Sequence, residues 1–373
     1  MFGLRGLHPD LEISGFETAF AEIAPRLVQR GHEVTVYCRA SAYSAERRVA
    51  SDAGVTLVYM PSPGGKNFSA ITSTLLAVLH ALALKQYDVW FFVNVGMGHH
   101  AALARLSGRP VVMNVDGLDW QRGKWGTWGR RYIQSAARSA VRFCTRLVTD
   151  AAAMQQYYRD HFHVDTDMIA YGADVEHSTT PELIAAFGVA PSAYYLIVSR
   201  FIPENSLVEM LEGFHRSPTR RKLIVVGSAT YADAFHARLA SIAASDERIS
   251  LVGHVRDQQV LKELWCNCFA YLHGHSVGGT NPALLRAMGC GSCVLALDTP
   301  FNREALATCG RYFSANADSV RDAIADIDAA TLAAATLGGR AQERVAAHYT
   351  WERITEQYAE LFARVVRPVS ARR

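Results

Sequence analysis

The chain has 373 residues, half of them hydrophobic, which is enough to bury two cores and favours two domains. Its 38 basic and 35 acidic residues leave a formal charge of +3, which is too small to indicate nucleic-acid binding. Any basic surface must therefore be local, and we expect no nucleic-acid partner.

The cysteines and the N-terminus indicate the compartment. Seven cysteines are scattered, odd in number and mostly inside apolar runs, which favours reduced thiols over a disulfide framework. Cys290 and Cys293 have a CxxC interval, but no second pair follows with zinc-site spacing, so we predict no metal and no resident cofactor. The first residues lack the regions of a signal peptide, and the longest apolar stretch, 71–84, falls short of the roughly 20 residues that span a bilayer. These features predict a cytoplasmic protein with at most peripheral membrane contact.

Short β-branched or aromatic runs alternate with helical patterns along the chain, as in doubly wound parallel sheets. Five runs lie in the first half, at residues 34–37, 55–59, 89–93, 111–115 and 147–149. Five more lie in the second half, at residues 194–198, 223–226, 249–252, 269–272 and 294–296. The sequence thus predicts two α/β domains that join near residues 171–177, and a long amphipathic helix over 352–366. Only residues 1–4 are available for a first strand, which makes it shorter than usual. Either the strand itself is truncated, or the start of the sequence has been assigned too late.

The run 273–288 ends an apolar strand, passes through a glycine pair and opens a helix. Asn281 has the side chain of an N-cap, and Pro282 is suited to the first helical position. The free amides of such a turn, near Gly279 and Thr280, can point at a phosphate or at a developing negative charge. The sequence therefore predicts an anion site here.

At this run, which reads HGHSVGGTNPALLRAM, the chain resembles the family 4 glycosyltransferases of GT-B architecture. Within them it resembles the bacterial branch that includes dTDP-rhamnose-dependent rhamnosyltransferases of surface polysaccharide assembly. Three further segments are similar to that branch: Gly15-Phe16-Glu17 with RGHEVTVYCR at 30–39, DGLDWQR at 116–122, and RFIPEN at 200–205. The resemblance spans nearly the whole chain.

The resemblance implies an α/β GT-B fold of two doubly wound, Rossmann-like domains facing across a cleft. Residues 1–175 would form the acceptor-side domain and 176–348 the nucleotide-sugar-binding domain, while 349–373 would cross back to the first. It further implies a retaining, metal-independent transfer of a sugar from a dTDP- or UDP-linked donor to a lipid-linked saccharide. The sugar that the branch resemblance implies is L-rhamnose. Such an enzyme would work as a peripheral protein at the inner face of the cell membrane.

Arg200 follows the strand 194–199, at the edge where α/β domains bind ligands, and matches the family's diphosphate-binding arginine. A fixed cation there would stabilise the leaving diphosphate. The alternative is a surface arginine paired with Glu204. Asn205 stands where many members carry a lysine, and it supplies a hydrogen bond but no charge, which shifts the electrostatic task to the amides near Gly279, Thr280 and Asn281.

The larger departure concerns the family's two glutamates, the first touching the sugar and the second the ribose. Their positions here read Gly278 and Arg286. The branch commonly lacks the first glutamate, but an arginine in the second place is unexpected. A guanidinium only donates hydrogen bonds and cannot accept from ribose hydroxyls. Arg286 either contacts a phosphate or is a solvated helix residue.

Two first-domain residues are further candidates. Gly15 lies where the family's glycines let the backbone approach the donor, although a glycine also has a conformational use, and Ser14 with Glu17 forms a capping box. Asp116 stands where many members place a sugar-contacting histidine. Its carboxylate would bind a sugar hydroxyl or take the acceptor's proton, and the alternative is an Asx-turn before Gly117.

The segment 120–149 has seven basic residues and no acidic one. Arg131, Arg138 and Arg142 share one helical face, and Trp120, Trp125 and Trp128 precede them, an arrangement typical of proteins on anionic lipid. A solvated basic face with core tryptophans is the alternative.

A rival function is a non-catalytic relative that keeps the fold to bind a partner. Gly278, Asn205 and Arg286 motivate it. However, the chain keeps Arg200, Asp116 and the loop that opens the helix. A protein that only binds a partner has no evident need for these three features together.

Overall fold

A computed structural model describes residues 1–7, 15–84, 87–115, 117, 120, 126–228 and 234–366, without the side chains of residues 66–67. The α-helices of these ranges are α1 (Gly15–Gln29), α2 (Gly65–Leu84), α3 (Gly98–Ala104), α4 (Thr127–Phe143), α5 (Ala152–Phe162), α6 (Leu207–Arg216), α7 (Ala234–Ala244), α8 (Gln258–Asn267), α9 (Pro282–Gly289), α10 (Pro300–Leu306), α11 (Ala317–Ala329), α12 (Thr331–His348) and α13 (Trp351–Val366). The strands are β1 (Thr35–Arg39), β2 (Ser51–Asp52), β3 (Val55–Met60), β4 (Trp90–Val93), β5 (Val111–Asn114), β6 (Arg146–Thr149), β7 (Asp167–Met168), β8 (Tyr194–Val198), β9 (Lys222–Val226), β10 (Ile249–Gly253), β11 (Ala270–His273), β12 (Val294–Leu297) and β13 (Gly310–Phe313).

The chain divides into two compact units. Unit 1 is Met1–Tyr171 together with α13, and unit 2 is Gly172–Thr350. Each is built of parallel strands with helical crossovers, so the predicted α/β class with two Rossmann-like domains is confirmed.

Unit 1 contains strands in the orders β1-β3-β2 and β4-β5-β6-β7, which are parallel except where β2 meets β3. The first residues lie between these two groups. The Phe2 amide donates to the Phe91 carbonyl at 2.9 Å, and the Tyr37 amide donates to the Met1 carbonyl at 3.0 Å. Phe2 also forms a parallel bridge with Phe92, so the short first strand pairs on both sides.

Helices α2, α3 and α4 lie side by side in unit 1. Each follows a parallel strand, and right-handed crossovers to successive strands place such helices on one face of the sheet. The His100 side chain in α3 shares a hydrogen bond of 3.1 Å with the Ile71 carbonyl in α2. Gly98 allows α3 to approach α4, because a Cβ there would lie 1.9 Å from the Ala136 carbonyl oxygen.

Helix α13 packs against α1 within unit 1. Arg26 donates to Glu352 at 3.0 Å and Arg30 donates to Glu356 at 3.2 Å. The inner face of α13 is buried, and its Tyr358 hydroxyl accepts a hydrogen bond from the Asn114 side chain at 3.1 Å. The end of the chain is thus tied to the first unit.

Unit 2 holds one parallel sheet in the order β10-β9-β8-β11-β12-β13. Its inner strands β8, β9, β11 and β12 are buried on both faces, and Tyr195, Leu223 and Leu295 belong to its continuous apolar core. The chain winds outward from β8 through β9 to β10, and then outward from β11 through β12 to β13. The winding direction therefore changes between β8 and β11, which makes their carboxyl ends the topological switch point of the sheet.

Candidate functional site

Two loops meet at the switch point of unit 2. One follows β8 and carries Arg200, and the other follows β11 and carries the glycine pair 278–279 before α9. Strands β8 and β11 are paired directly, so both loops leave the sheet from the same edge. Open α/β sheets bind their ligands outside the carboxyl ends of the strands at such a point.

The second loop has the geometry of an anion site. Asn281 is the N-cap of α9, its side-chain oxygen accepts from the Ala283 amide at 2.9 Å, and Pro282 occupies the first helical position. Gly278 has φ +128°, a conformation that side chains disfavour, and open space surrounds it. Within the described ranges, the amides of Gly278 and Gly279 have no hydrogen-bond partner. These donors, with the positive end of the helix dipole, favour a negative ligand.

The two loops are fixed to each other. The amide and the hydroxyl of Ser276 both donate to the Glu204 carbonyl, at 3.1 and 2.7 Å. A Cβ on Gly274 would lie 2.3 Å from the Asn205 carbonyl oxygen, so only a glycine allows this approach. The Asn302 side-chain amide donates a hydrogen bond to the His275 carbonyl at 3.2 Å. The loops are therefore placed before a ligand arrives, which is the condition for electrostatic stabilisation of a developing charge.

Arg200 and Asn205 have different positions in the first loop. Arg200 is exposed, so its guanidinium is accessible at the sheet edge. The Asn205 side chain is buried, and both of its amide hydrogens are used inside the loop, by the Ser199 hydroxyl at 2.7 Å and the Arg200 carbonyl at 2.8 Å. These two hydrogen bonds support the backbone at Arg200, and the contact of Asn205 with a donor stays a prediction.

A buried histidine lies beneath the site. His273 ends β11, and its Nδ1 lies 3.3 Å from the Tyr271 hydroxyl, which itself donates to the Val198 carbonyl at 3.2 Å. Burial, followed by the nearby His275, lowers the pKa of His273 well below its ordinary value. A neutral ring adds no charge beneath the anion site.

Arg286 lies in α9 and is held from three sides. Its Nε donates to Glu176 at 3.3 Å, one terminal nitrogen donates to the Gln258 side chain at 2.8 Å, and the guanidinium lies 4.7 Å from the ring centre of Trp265. About a quarter of the side chain is exposed. The expectation of a freely solvated residue is wrong, because an ion pair, a hydrogen bond and an aromatic face engage this guanidinium.

Sequence reasoning missed the segment that Arg286 holds. Glu176 belongs to the first residues of unit 2, and the next residues are fixed by Glu263 of α8. The Glu263 carboxylate is fully buried and accepts from the Ser178 hydroxyl at 2.5 Å and from the amides of Thr179 and Thr180 at 2.9 and 3.0 Å. The partners are separated by more than 80 residues, so no local spacing reveals them.

The other predicted site residues lie in unit 1. Gly15 is the first residue of α1 and is partly exposed. Asp116 and Trp125 lie outside the described residues. Arg131, Arg138 and Arg142 are all exposed on α4. The alternative of core tryptophans is wrong for Trp128, which is 82 % exposed, and is confirmed for Trp120, which is buried.

Among the residues that the structure describes, no group of three or more histidine, cysteine, aspartate or glutamate side chains is arranged to hold a metal ion. None of the helices in these ranges is long and apolar enough to cross a bilayer.

The two halves of the chain match two families. Residues 14–172 match the family described as "Glycosyl transferase 4-like domain", and residues 205–360 match the one described as "Glycosyl transferase-like". No curated protein matches this chain.

Solved structures share the whole fold. An Anabaena protein, Alr3699/HepE in complex with UDP, is 18% identical with a TM-score of 0.77, and the match covers 96% of this chain and 98% of that one. Sucrose-phosphate synthase from Thermosynechococcus elongatus is 15% identical with a TM-score of 0.80, covering 97% of both chains. A glycosyltransferase from Rickettsia africae ESF-5 is 14% identical with a TM-score of 0.73, covering 96% of this chain and 97% of that one. The two-domain fold is GT-B.

Proposed function

We propose that this protein moves a sugar from a nucleotide diphosphate donor to a lipid-linked saccharide, because its first half matches a glycosyl transferase 4-like domain and its second half a glycosyl transferase-like one. The sugar is L-rhamnose from a dTDP donor if the branch resemblance holds, and the product belongs to a surface polysaccharide. UDP is the alternative nucleotide. The similar Anabaena protein has been crystallised with UDP-glucose, which supports a donor of this class here.

One observation carries the proposal: an accessible arginine and unpaired loop amides share the switch point of unit 2. Breaking a sugar–phosphate bond leaves negative charge on the diphosphate, and a cation with fixed amides stabilises that charge where it develops. Arg200 would supply the cation, and Gly278 and Gly279 the amides. This assignment needs no metal ion, in line with the metal-independent, retaining reaction that the resemblance implies.

Release of nucleotide tests the proposal. We expect purified protein to release dTDP or UDP from a matching nucleotide sugar, faster when a lipid-linked saccharide is added. A panel of dTDP- and UDP-linked sugars, followed by chromatography of nucleotide and glycan products, identifies the donor. Absence of both release and nucleotide binding across the panel would instead favour the non-catalytic rival.

The acceptor's lipid places the reaction at a membrane, and α4 provides the basic surface for it. Three of its four exposed arginines, Arg131, Arg138 and Arg142, share one face, and the guanidinium of Arg131 lies 5.8 Å from the ring centre of the exposed Trp128. Arginine and tryptophan side chains suit the boundary between headgroups and acyl chains. We propose that this face rests on anionic lipid at the inner side of the cell membrane.

Neutralising the α4 face checks its role. Arg131→Gln, Arg138→Gln and Arg142→Gln together should weaken binding to anionic vesicles by roughly 3 kcal/mol, at about 1 kcal/mol per charge. The loss should shrink in high salt, because screening already weakens the wild-type attraction. Vesicle flotation at two salt concentrations measures both effects. Equal flotation of variant and wild type would remove α4 from the membrane interface.

A further inference from the structure

The outer face of α2 is apolar and uncovered. Phe68 is 61 % exposed, Leu75 is 37 % exposed and Leu79 is 50 % exposed. Their spacing of seven and four residues puts all three on one side of the helix. The opposite side, with Ala77, Val78 and Ala81, is buried. Helix α2 therefore carries a stripe of large apolar side chains that stay 37 to 61 % exposed. We call Phe68, Leu75 and Leu79 the α2 stripe.

The charges around the stripe indicate what covers it. Helices α2, α3 and α4 contain no aspartate or glutamate, while α4 exposes its row of arginines. These helices lie side by side, and neighbouring helix axes are about 8 to 10 Å apart, so α2 and α4 are separated by about 20 Å. A surface that is apolar at one side and basic at the other matches an anionic lipid interface, where acyl chains and phosphates lie close together.

A protein partner fits this surface less well. Non-obligate protein interfaces combine an apolar centre with a polar rim of mixed charge. Here the rim within the three helices has one sign only. Such an imbalance repels another basic surface and attracts a continuous sheet of anionic headgroups.

We propose that the α2 stripe inserts into the acyl boundary of an anionic membrane while the α4 arginines contact its headgroups. This inference rests on the membrane location within the proposed function and adds a second, apolar contact to it. The two contacts differ in their response to salt. Attraction of arginines to headgroups is screened by salt, whereas burial of leucine and phenylalanine is not.

The test replaces both leucines of the stripe. Leu75→Gln with Leu79→Gln keeps good helix formers and removes apolar side chains that are already exposed, so the fold should be retained. Leu332→Gln is the matched control, because Leu332 is 88 % exposed on α12 of unit 2. Flotation uses vesicles of phosphatidylcholine with and without phosphatidylglycerol, at low and at high salt, and circular dichroism checks the helix content of each variant.

We expect wild type to bind the phosphatidylglycerol vesicles and to keep part of that binding in high salt. The double variant should bind at least about tenfold more weakly at both salt concentrations, the effect of losing one to two buried leucines. The Leu332→Gln control should bind as wild type does. Wild-type binding by the double variant would overturn the inference and leave α4 as the sole contact.

Two other results also count against the inference. Wild type that ignores both kinds of vesicle would overturn it together with the membrane location, whereas release of nucleotide in the same sample would still support sugar transfer. A wild-type dimer that ignores vesicles and becomes monomeric on Leu75→Gln with Leu79→Gln would assign the stripe to a second copy of the chain. Light scattering on the same samples detects that case.

Discussion

Arg200 and Arg286 are both arginines of unit 2, yet their surroundings differ. The Arg200 side chain is exposed at the end of β8, and Asn205 fixes the backbone of its loop. Arg286 is fixed by Glu176, Gln258 and Trp265, so its guanidinium joins elements of the protein. The comparison shows that two arginines of one domain can differ in exposure, and only the exposed Arg200 suits the proposed role of a cation for the leaving diphosphate.

Arg200→Ala should have the largest effect on sugar transfer. A small effect would contradict the distinction between Arg200 and Arg286. We expect transfer to fall by two to three orders of magnitude, about 3 to 4 kcal/mol, because a cation for the leaving diphosphate is lost. The melting temperature should change little, since the side chain is exposed. Steady-state kinetics measures the loss, with Arg238→Ala, an exposed arginine of α7, as control. Near-normal turnover would remove Arg200 from the mechanism.

Arg286→Glu should lower stability and not phosphate affinity. The change deletes an ion pair, a hydrogen bond and a cation–π contact, and it puts a second carboxylate beside Glu176. A loss of about 2 to 3 kcal/mol in the free energy of unfolding follows. Denaturant titration measures it, and a cycle of Arg286→Gln with Glu176→Gln isolates the coupling between the two side chains.

Calorimetry with dTDP and UDP then separates the remaining interpretations of Arg286. If a carboxylate at this position restores an acceptor for ribose hydroxyls, Arg286→Glu tightens nucleotide binding. Markedly weaker nucleotide binding by a stable Arg286→Gln protein would instead indicate that Arg286 contacts a phosphate. Tighter or weaker binding of nucleotide therefore distinguishes a lost ribose contact from a phosphate contact.

Glu263 sharpens the comparison, because it holds the same segment of unit 2 as Arg286 with the opposite charge. Burial alone would raise the pKa of Glu263, but hydrogen bonds from Ser178 and from the amides of Thr179 and Thr180 outweigh it and lower the pKa to about 2. A carboxylate with a depressed pKa stabilises the fold above its unfolded value of 4.5, and this contribution is lost as the pH falls toward 2.

Glu263→Gln should therefore cost about 1 to 2 kcal/mol at neutral pH and flatten the fall of stability between pH 4.5 and 2. Thermal unfolding across this range measures both effects. Part of the slope should remain, because hydrogen bonds, chiefly from Arg248, lower the pKa of Asp246 to about 2 as well. An unchanged slope would show that Glu263 is not ionised in the fold.

The sequence predicts the strands well where the signal is local. All ten predicted runs correspond to observed strands, within about two residues at each end, because buried parallel strands are continuous apolar runs. The missed strands β2, β7 and β13 have two to four residues and carry polar side chains such as Asp52, Asp167 and Arg311. Their pairing comes from neighbouring strands and leaves no run of its own.

The site likewise contains local features that the sequence predicts and distant contacts that it does not. The N-cap of α9 was predictable, because Asn281 and Pro282 act on adjacent amides. The partners of Arg286 were not, since Glu176 is 110 residues away. The α2 stripe was equally hidden, because an apolar run does not tell which side of a helix the rest of the fold covers.

Gly278 affects how this loop can change during evolution. Its φ of +128° is accessible to glycine and strained for other residues. A single substitution of Gly278 to glutamate would therefore strain the backbone even though the space around it is open. Replacing Gly278 therefore requires a change in the loop backbone as well. Selection that acts on one position at a time should keep the glycine.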